Sequence, residues 1–274
     1  MQARTLSDEE KLAVYREVYA AEACDKYLGI RYVGQKRFSL QGAESLIPAM
    51  NAIIGQAATH DCDEVVIGMA HRGRLSVMLN VCGMPMGDLC NEFEGVGPES
   101  TTSGDVKYHM GHSNDRMFGD KCVHVSLCFN PSHLEFITPV VMGSVRARLD
   151  AQRKGETKFK NSMGIAIHGD AAFMGQGVVS ECFNMGYTDA YDTNGLVHVV
   201  VNNQIGFTTK PTDSRSTTYS TDISKIVSAP VLHVNGDDPD SVVKAARLAV
   251  EYRTKFKKDV VLDIVCYRRF GHNE

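Results

Sequence analysis

The eight cysteines of this chain, Cys24, Cys62, Cys82, Cys90, Cys122, Cys128, Cys182 and Cys266, include no Cys-x-x-Cys pair. The usual ligand spacing for structural zinc or a redox dithiol is therefore missing. Positive charge is not in excess either: the net charge of −4 argues against a nucleic-acid partner. No apolar run approaches the ~20 residues that a bilayer span requires, so no membrane association is expected. Internal repeats and low-complexity tracts are also lacking. What remains is ordinary: 43% hydrophobic and 23% charged residues in 274, enough for one large domain or two smaller ones with a substantial core. Several cysteines sit in or beside apolar runs, as Cys128 does in the stretch 123–129. They read as reduced, mostly buried thiols of an intracellular protein.

Ser7-x-x-Glu10 has the form of a capping box and opens a helix to about Ala21. A Gly-punctuated basic loop, Gly29 to Arg37, follows, and Gly42 to Thr59 reads as a second helix. This predicts an N-terminal helical segment over 1–60 and an α/β domain over 61–274. Within the domain, apolar runs at 65–69, 123–129, 163–167, 196–201, 231–234 and 260–267 each end in polar residues and alternate with helical patterns. Continuously apolar strands alternating with helices predict a mostly parallel sheet with helices on both faces. Ligands of such sheets sit beyond the carboxyl ends of the strands. Two stretches, 94–105 and 208–219, read as long loops. No signal peptide precedes the first helix, and the last strand is followed by no closing helix, so the chain is expected to be a fragment.

The strongest chemical signal is Gly169-Asp170-Ala171-Ala172 followed by Asn202-Asn203, with Asp170 and Asn203 33 residues apart. That distance fits one crossover: strand end, helix over about Gly177 to Met185, return, next strand end. A right-handed crossover brings both ends to one edge of the sheet. A carboxylate and a carboxamide there are hard oxygen ligands suited to magnesium, which keeps positions for phosphate and water. Ile205 can add its carbonyl, Gly169 permits close backbone approach, and a helix beginning beyond Ala172 would point N–H groups at an anion. A turn-forming Asn pair beside an unrelated Asp is the bland alternative.

This pattern resembles that of thiamine-diphosphate enzymes, although many of them carry Gly where this chain has Ala171. The segments 67–75 (Ile-Gly-Met-Ala-His-Arg-Gly-Arg-Leu), 104–111, 130–135 (Asn-Pro-Ser-His-Leu-Glu), 168–172, 202–209 and 266–274 resemble the 2-oxoglutarate dehydrogenase family. The resemblance runs from about residue 20 onward. It implies the diphosphate-binding half of the thiamine-diphosphate fold, with Asp170, Asn203 and the Ile205 carbonyl holding Mg²⁺ and Arg72 approaching the diphosphate. Gly169, Ala171 and Ala172 would line the cofactor, and His71, His109 and Ser113 the pocket for the 2-oxo acid. A neutral or protonated imidazole and a hydroxyl can donate to a carboxylate or a developing oxyanion.

The implied activity is oxidative decarboxylation of 2-oxoglutarate in the tricarboxylic acid cycle. The succinyl group would pass to the lipoyl group of the dihydrolipoyl succinyltransferase component, within a complex whose E1 is a homodimer. The activating Glu would come from a pyrimidine-binding domain outside these residues. Location would be the mitochondrial matrix in a eukaryote and the cytoplasm in a bacterium. Two alternatives stay open: action on 2-oxoadipate, and a catalytically incomplete module serving binding or assembly. His133, His168 and His272 lie in the motifs without a settled role, His168 being expected to face the cofactor because it directly precedes Gly169 and Asp170, while His60, His112, His124, His198 and His233 read as structural or surface residues. Gly175-x-Gly177-x-x-Ser180 lacks a third glycine and follows the Gly-Asp turn, so NAD is not expected. His109-x-x-His112 has no cysteine pair to complete a zinc site.

Overall fold

Strands buried on both faces have no polar side to show to water, and the centre of this chain is built from them. In the computed structural model, which describes residues 5–96 and 106–274, every residue of β1 (Glu64–Met69) and β5 (Val197–Asn202) is buried. β4 (Ser162–Gly169) is buried up to its last residue. With β2 (His112–Phe118), β3 (Lys121–Leu127), β6 (Val231–Asn235) and β7 (Val260–Val265) they form one sheet in the order β2-β3-β1-β4-β5-β7-β6. All neighbours are parallel except the β2–β3 hairpin. The protein is a mostly parallel α/β fold.

Helices cover both faces. On one, α1 (Asp8–Arg31), α2 (Leu46–Thr59) and α9 (Pro239–Phe256) share a core with Val65, Ile67 and Met69. On the other, α5 (Ile137–Lys154) packs Val141 and Val145 on Val66 and Ala166, and α7 (Gly177–Gly186) contributes Cys182 and Phe183. The sheet comes very close to α5 at Gly68, where a Cβ would lie 2.5 Å from Val141 Cγ2. Because Ile47, Met50 and Ile54 of α2 belong to the same core as β1, residue 60 does not separate two cores.

Several element boundaries differ from the sequence expectation. Ser7 and Glu10 do form a reciprocal capping box, but α1 continues ten residues past Ala21 to Arg31. Cys24 and Leu28 extend its buried stripe, and Gly29 is tolerated because the Arg37 guanidinium packs where a Cβ would be, at 3.1 Å. α2 starts at Leu46, not Gly42; Gly42 has φ +100° and sits 2.4 Å (Cβ position) from the Tyr267 carbonyl, a place for a turn. β2 was not visible as a strand because it is a polar edge strand, mostly exposed. β3 ends at Leu127 and leaves Phe129 73% exposed, and β7 ends at Val265. Of the two expected loops, residues 97–105 lie outside the described region, whereas 208–219 contains the short α8 (Pro211–Ser214). Two further helices, α3 (Arg74–Asn80) and α4 (Met86–Glu94), follow β1. Among the described residues no helix is long and apolar enough to cross a membrane, and all eight cysteines are unpaired.

Candidate active site

The carboxyl ends of the parallel strands open onto a cavity of about 580 Å³. Its floor comes from the adjacent ends of β4 and β5, where Gly169 pairs with Val201. Asp170 therefore stands beside Asn202 and Asn203, as the one-crossover spacing requires, and Gly169 to Ala172, Asn203 and Ile205 all line the cavity. The helix expected beyond Ala172 begins at Asp170 itself and is one turn long, α6 (Asp170–Phe173). The amides of Asp170 and Ala171 at its start favour the charged form of the Asp170 carboxyl, against its burial.

The turn after β5 is tightly specified. Asn203 Oδ1 accepts from the Ile205 amide at 3.2 Å, and Gln204 Nε2 donates to the Cys266 carbonyl at 2.9 Å. Cys266 in turn donates its amide to the Asn202 carbonyl at 2.8 Å. Gln204 and Phe207 hold φ of +62° and +58°, left-handed values uncommon for such residues and concentrated at functional turns. Gly169 leaves open space: a Cβ there would meet nothing within 4 Å.

The Asp170 carboxyl is pushed up to about 6, chiefly by burial, with the charge of Arg215 acting in the opposite direction. A buried carboxylate of this kind gains most from a nearby cation. Asp170, the Asn203 carboxamide and the Ile205 carbonyl form an oxygen donor set with room for phosphate, which fits a hard divalent ion. Among the described residues no group of three His, Cys, Asp or Glu could hold a metal, so a His- or Cys-rich transition-metal centre has no counterpart here.

The opposite wall is aromatic and imidazole-rich. The His71 ring lies 5.1 Å from that of His109, 5.3 Å from Tyr108 and 5.3 Å from Phe38. Burial first, and the neighbouring His109 second, push His71 down to about 4, so it is neutral near pH 7. The Pro131 backbone acts in the opposite direction, and Nε2 is buried and without a hydrogen-bond partner. A buried polar atom without a partner inside the protein is one that a ligand atom can satisfy. His109 is buried, with Nε2 3.3 Å from Ser132 Oγ.

Three expected residues stand differently from the sequence reading. Ser113 does not line the cavity: it is exposed on β2, and its hydroxyl donates to Ser126 Oγ at 3.1 Å across the hairpin; His109 is not in the lining either and reaches the cavity only through its ring contact with His71. Ser132, in the Asn130–Glu135 motif, is the serine brought to His109, and Leu134 next to it lines the cavity. Arg72 is in the wall, but its guanidinium donates to the Ser39 carbonyl at 3.0 Å and to the His272 carbonyl at 2.5 Å, with Glu274 3.7 Å away. It offers charge to the cavity more than free donors.

Arg74 and Arg268 were missed, and His168, read as facing the cofactor, was given no partner. Arg74, fully buried, donates to the Met69, Met110 and Cys128 carbonyls at 2.8, 2.8 and 2.9 Å and so ties together β1, β3 and the segment bearing His109. His168 lines the cavity and bonds Glu135. Arg268 lines it from the end of β7. Their presence in the quoted motifs was the only sign, since burial and partners are not written in a single sequence.

Comparison with known proteins agrees with this architecture. Residues 17–274 match the family described as Dehydrogenase E1 component. The chain is 53% identical over 267 residues to the 2-oxoglutarate dehydrogenase E1 component of Cupriavidus necator, covering 97% of this chain and 28% of that protein. It is also 53% identical over 269 residues to the protein of the same name from Azotobacter vinelandii, covering 98% and 28%. To the multifunctional 2-oxoglutarate metabolism enzyme of Mycolicibacterium vanbaalenii it is 53% identical over 270 residues, covering 97% and 22%. The chain thus spans roughly a quarter of the length of these relatives. With the match extending over nearly its whole length, the chain belongs to the dehydrogenase E1 component family.

Proposed function

We propose that this chain is the diphosphate- and Mg²⁺-binding part of a thiamine-diphosphate-dependent 2-oxo acid dehydrogenase acting on 2-oxoglutarate. The observation that carries the reading is the juxtaposition of Asp170 and Asn203 at adjacent strand ends, across one cavity from His71, which His109 backs. Similarity to proteins named 2-oxoglutarate dehydrogenase E1 component supports the substrate.

Asp170, Asn203 and the Ile205 carbonyl would hold Mg²⁺, and Gly169 leaves space for the diphosphate it carries. When bound, thiamine diphosphate supplies the electron sink for decarboxylation. The protein's task is positioning and electrostatics. Arg72 contributes positive charge to the diphosphate side. His71 lines the cavity with Nε2 unpartnered, so Nε2 is the atom assigned to the 2-oxo acid. Taking up a proton there makes His71 a charged donor to the anionic substrate. His109 and the Ser132 hydroxyl form a second donor pair beside it, and Leu134 and Phe38 exclude water from the cavity.

Transfer of the succinyl group to the lipoyl group of a dihydrolipoyl succinyltransferase partner, and assembly as a homodimer, belong to the same proposal. So does location in a bacterial cytoplasm or a mitochondrial matrix. The decisive experiment uses the full-length protein with Mg²⁺ and thiamine diphosphate, measuring carbon dioxide release from a panel of 2-oxo acids. Preference for 2-oxoglutarate supports the assignment; preference for 2-oxoadipate would replace the substrate, and no release from any acid would overturn the activity.

A further inference from the structure

Of the six residues 131–136, five are exposed and one, Glu135, is buried. A glutamate is the residue type least expected to be the buried member of a surface turn. It also holds φ at +73°, a left-handed value that strains a non-glycine residue and persists only where surroundings enforce it. Its carboxylate reaches inward to His168 Nδ1 at 2.5 Å. On the same turn Leu134 stands in the cavity wall and Ser132 meets His109, whose ring neighbours that of cavity-lining His71.

His168 is itself gripped. Its Nε2 lies 3.0 Å from His198 Nδ1, and His198 Nε2 is 3.6 Å from Asp259 Oδ1. Phe173 of α6 packs on the His168 ring with centroids 4.6 Å apart. All four ionisable residues are buried, and they run from the active-site edge of the sheet to the far edge, where Asp259 also accepts the Leu196 amide at 2.7 Å. His168 precedes Gly169 and Asp170 on the same strand. The ring is therefore a fixed post standing between the floor of the cavity and the turn above it.

We propose that Glu135 is a positioning residue: its buried bond to His168 pins the 131–136 turn to β4, and thereby sets Ser132 and Leu134 in register with the strand that carries Asp170. The inference rests on the functional reading above, in which that turn faces the 2-oxo acid. Removing a buried carboxylate by well-packed apolar substitution is often neutral or stabilising, so a buried pair is weak evidence for stability alone. Here its placement assigns it to geometry: it ties the turn to β4, whereas the Asn130 amide on the His109 carbonyl at 3.0 Å and Ser132 Oγ at His109 Nε2 tie it only to the 107–109 segment.

The test compares Glu135→Gly and Glu135→Gln in the full-length enzyme with Mg²⁺ and thiamine diphosphate. Glycine removes the tether while suiting the left-handed backbone, so the fold is kept; glutamine keeps an acceptor. The expected result for Glu135→Gly is a KM for the 2-oxo acid raised about tenfold, the scale of one lost charge-assisted hydrogen bond. The dissociation constant of thiamine diphosphate should move by less than about threefold, with Tm held within a few degrees. Glu135→Gln should recover part of the KM. An unchanged KM in Glu135→Gly overturns the proposal, as does a cofactor affinity that falls in step with KM and Tm, the signature of a merely structural group. Failure of the unaltered protein to bind thiamine diphosphate with Mg²⁺ would instead overturn the functional reading beneath it.

Discussion

Asp263, with no exposure at all in the middle of β7, accepts the Asn202 side-chain amide at 3.1 Å. The same carboxylate holds His233 Nδ1 at 2.7 Å through its other oxygen. Asn202 is the residue before Asn203, so the strand end that would carry Mg²⁺ is anchored from the side by a buried carboxylate on the next strand. Truncating Asp263→Ala leaves a buried amide and an imidazole without their acceptor. The expected loss is roughly 2–4 kcal/mol of unfolding free energy, read from the shift in urea midpoint at constant m. A loss below about 0.5 kcal/mol would show that the anchor is dispensable.

Asp170→Ala removes the one charged oxygen of the proposed metal set. In full-length protein, calorimetric titration of thiamine diphosphate with Mg²⁺ present should show affinity reduced at least ~100-fold, because metal and diphosphate charges support each other. The same variant should be at least as stable as the parent without cofactor, since the burial that pushes this carboxyl up to about 6 is relieved. Retained affinity would remove Asp170 from the site.

The β-strands of the centre and their order along the chain were legible because Val, Ile and Leu runs buried on both faces cannot alternate with polar residues. β2 was not, because an edge strand such as Ser113 to Met117 shows most of its side chains to water and pairs through its backbone. The Asp170–Asn203 relation was legible because one crossover has a characteristic length and a fixed hand. Which serine stands at His109 was not legible: Ser113 and Ser132 are both close to motif residues in sequence, and only the hairpin's register separates them. Arg74 and Glu135 were invisible as anchors for a different reason, since a charged residue in a motif reads as exposed or catalytic until its partners are known.

Arg74→Met tests the buried clamp. It keeps side-chain length but leaves the Met69, Met110 and Cys128 carbonyls without a donor, and should cost about 3–5 kcal/mol. Because one of those carbonyls adjoins His109, hydrogen exchange of the 106–112 amides should accelerate more than that of β5. Uniform acceleration across the sheet would mean that the clamp does not act locally.

His71 makes stability depend on acidity in a definite direction. Its folded value is about 4 against an ordinary 6.5, so between those values the unfolded chain binds a proton that the folded chain does not. Stability from this group is complete above about pH 6.5 and declines as pH falls toward 4. His71→Phe should flatten that decline by about 1–2 kcal/mol, the ring being only partly buried. An unaltered slope in unfolding titrations across this interval would place the ring in water.

The two serines give the sharpest test of the site as the structure draws it. Ser132 Oγ is 3.3 Å from His109 Nε2, in the turn that also places Leu134 in the cavity. Ser113, exposed like Ser132, instead spends its hydroxyl on Ser126 across the β2–β3 hairpin. Ser132→Ala in the full-length enzyme should therefore raise KM for the 2-oxo acid by roughly 5- to 20-fold, the loss of one hydroxyl that meets substrate directly or through His109. Ser113→Ala should change KM by less than about twofold and stability by under about 0.5 kcal/mol, as for an exposed polar pair. The reverse ranking would mean that the edge hairpin rearranges to bring Ser113 into the cavity when substrate binds, and the site would have to be redrawn around β2.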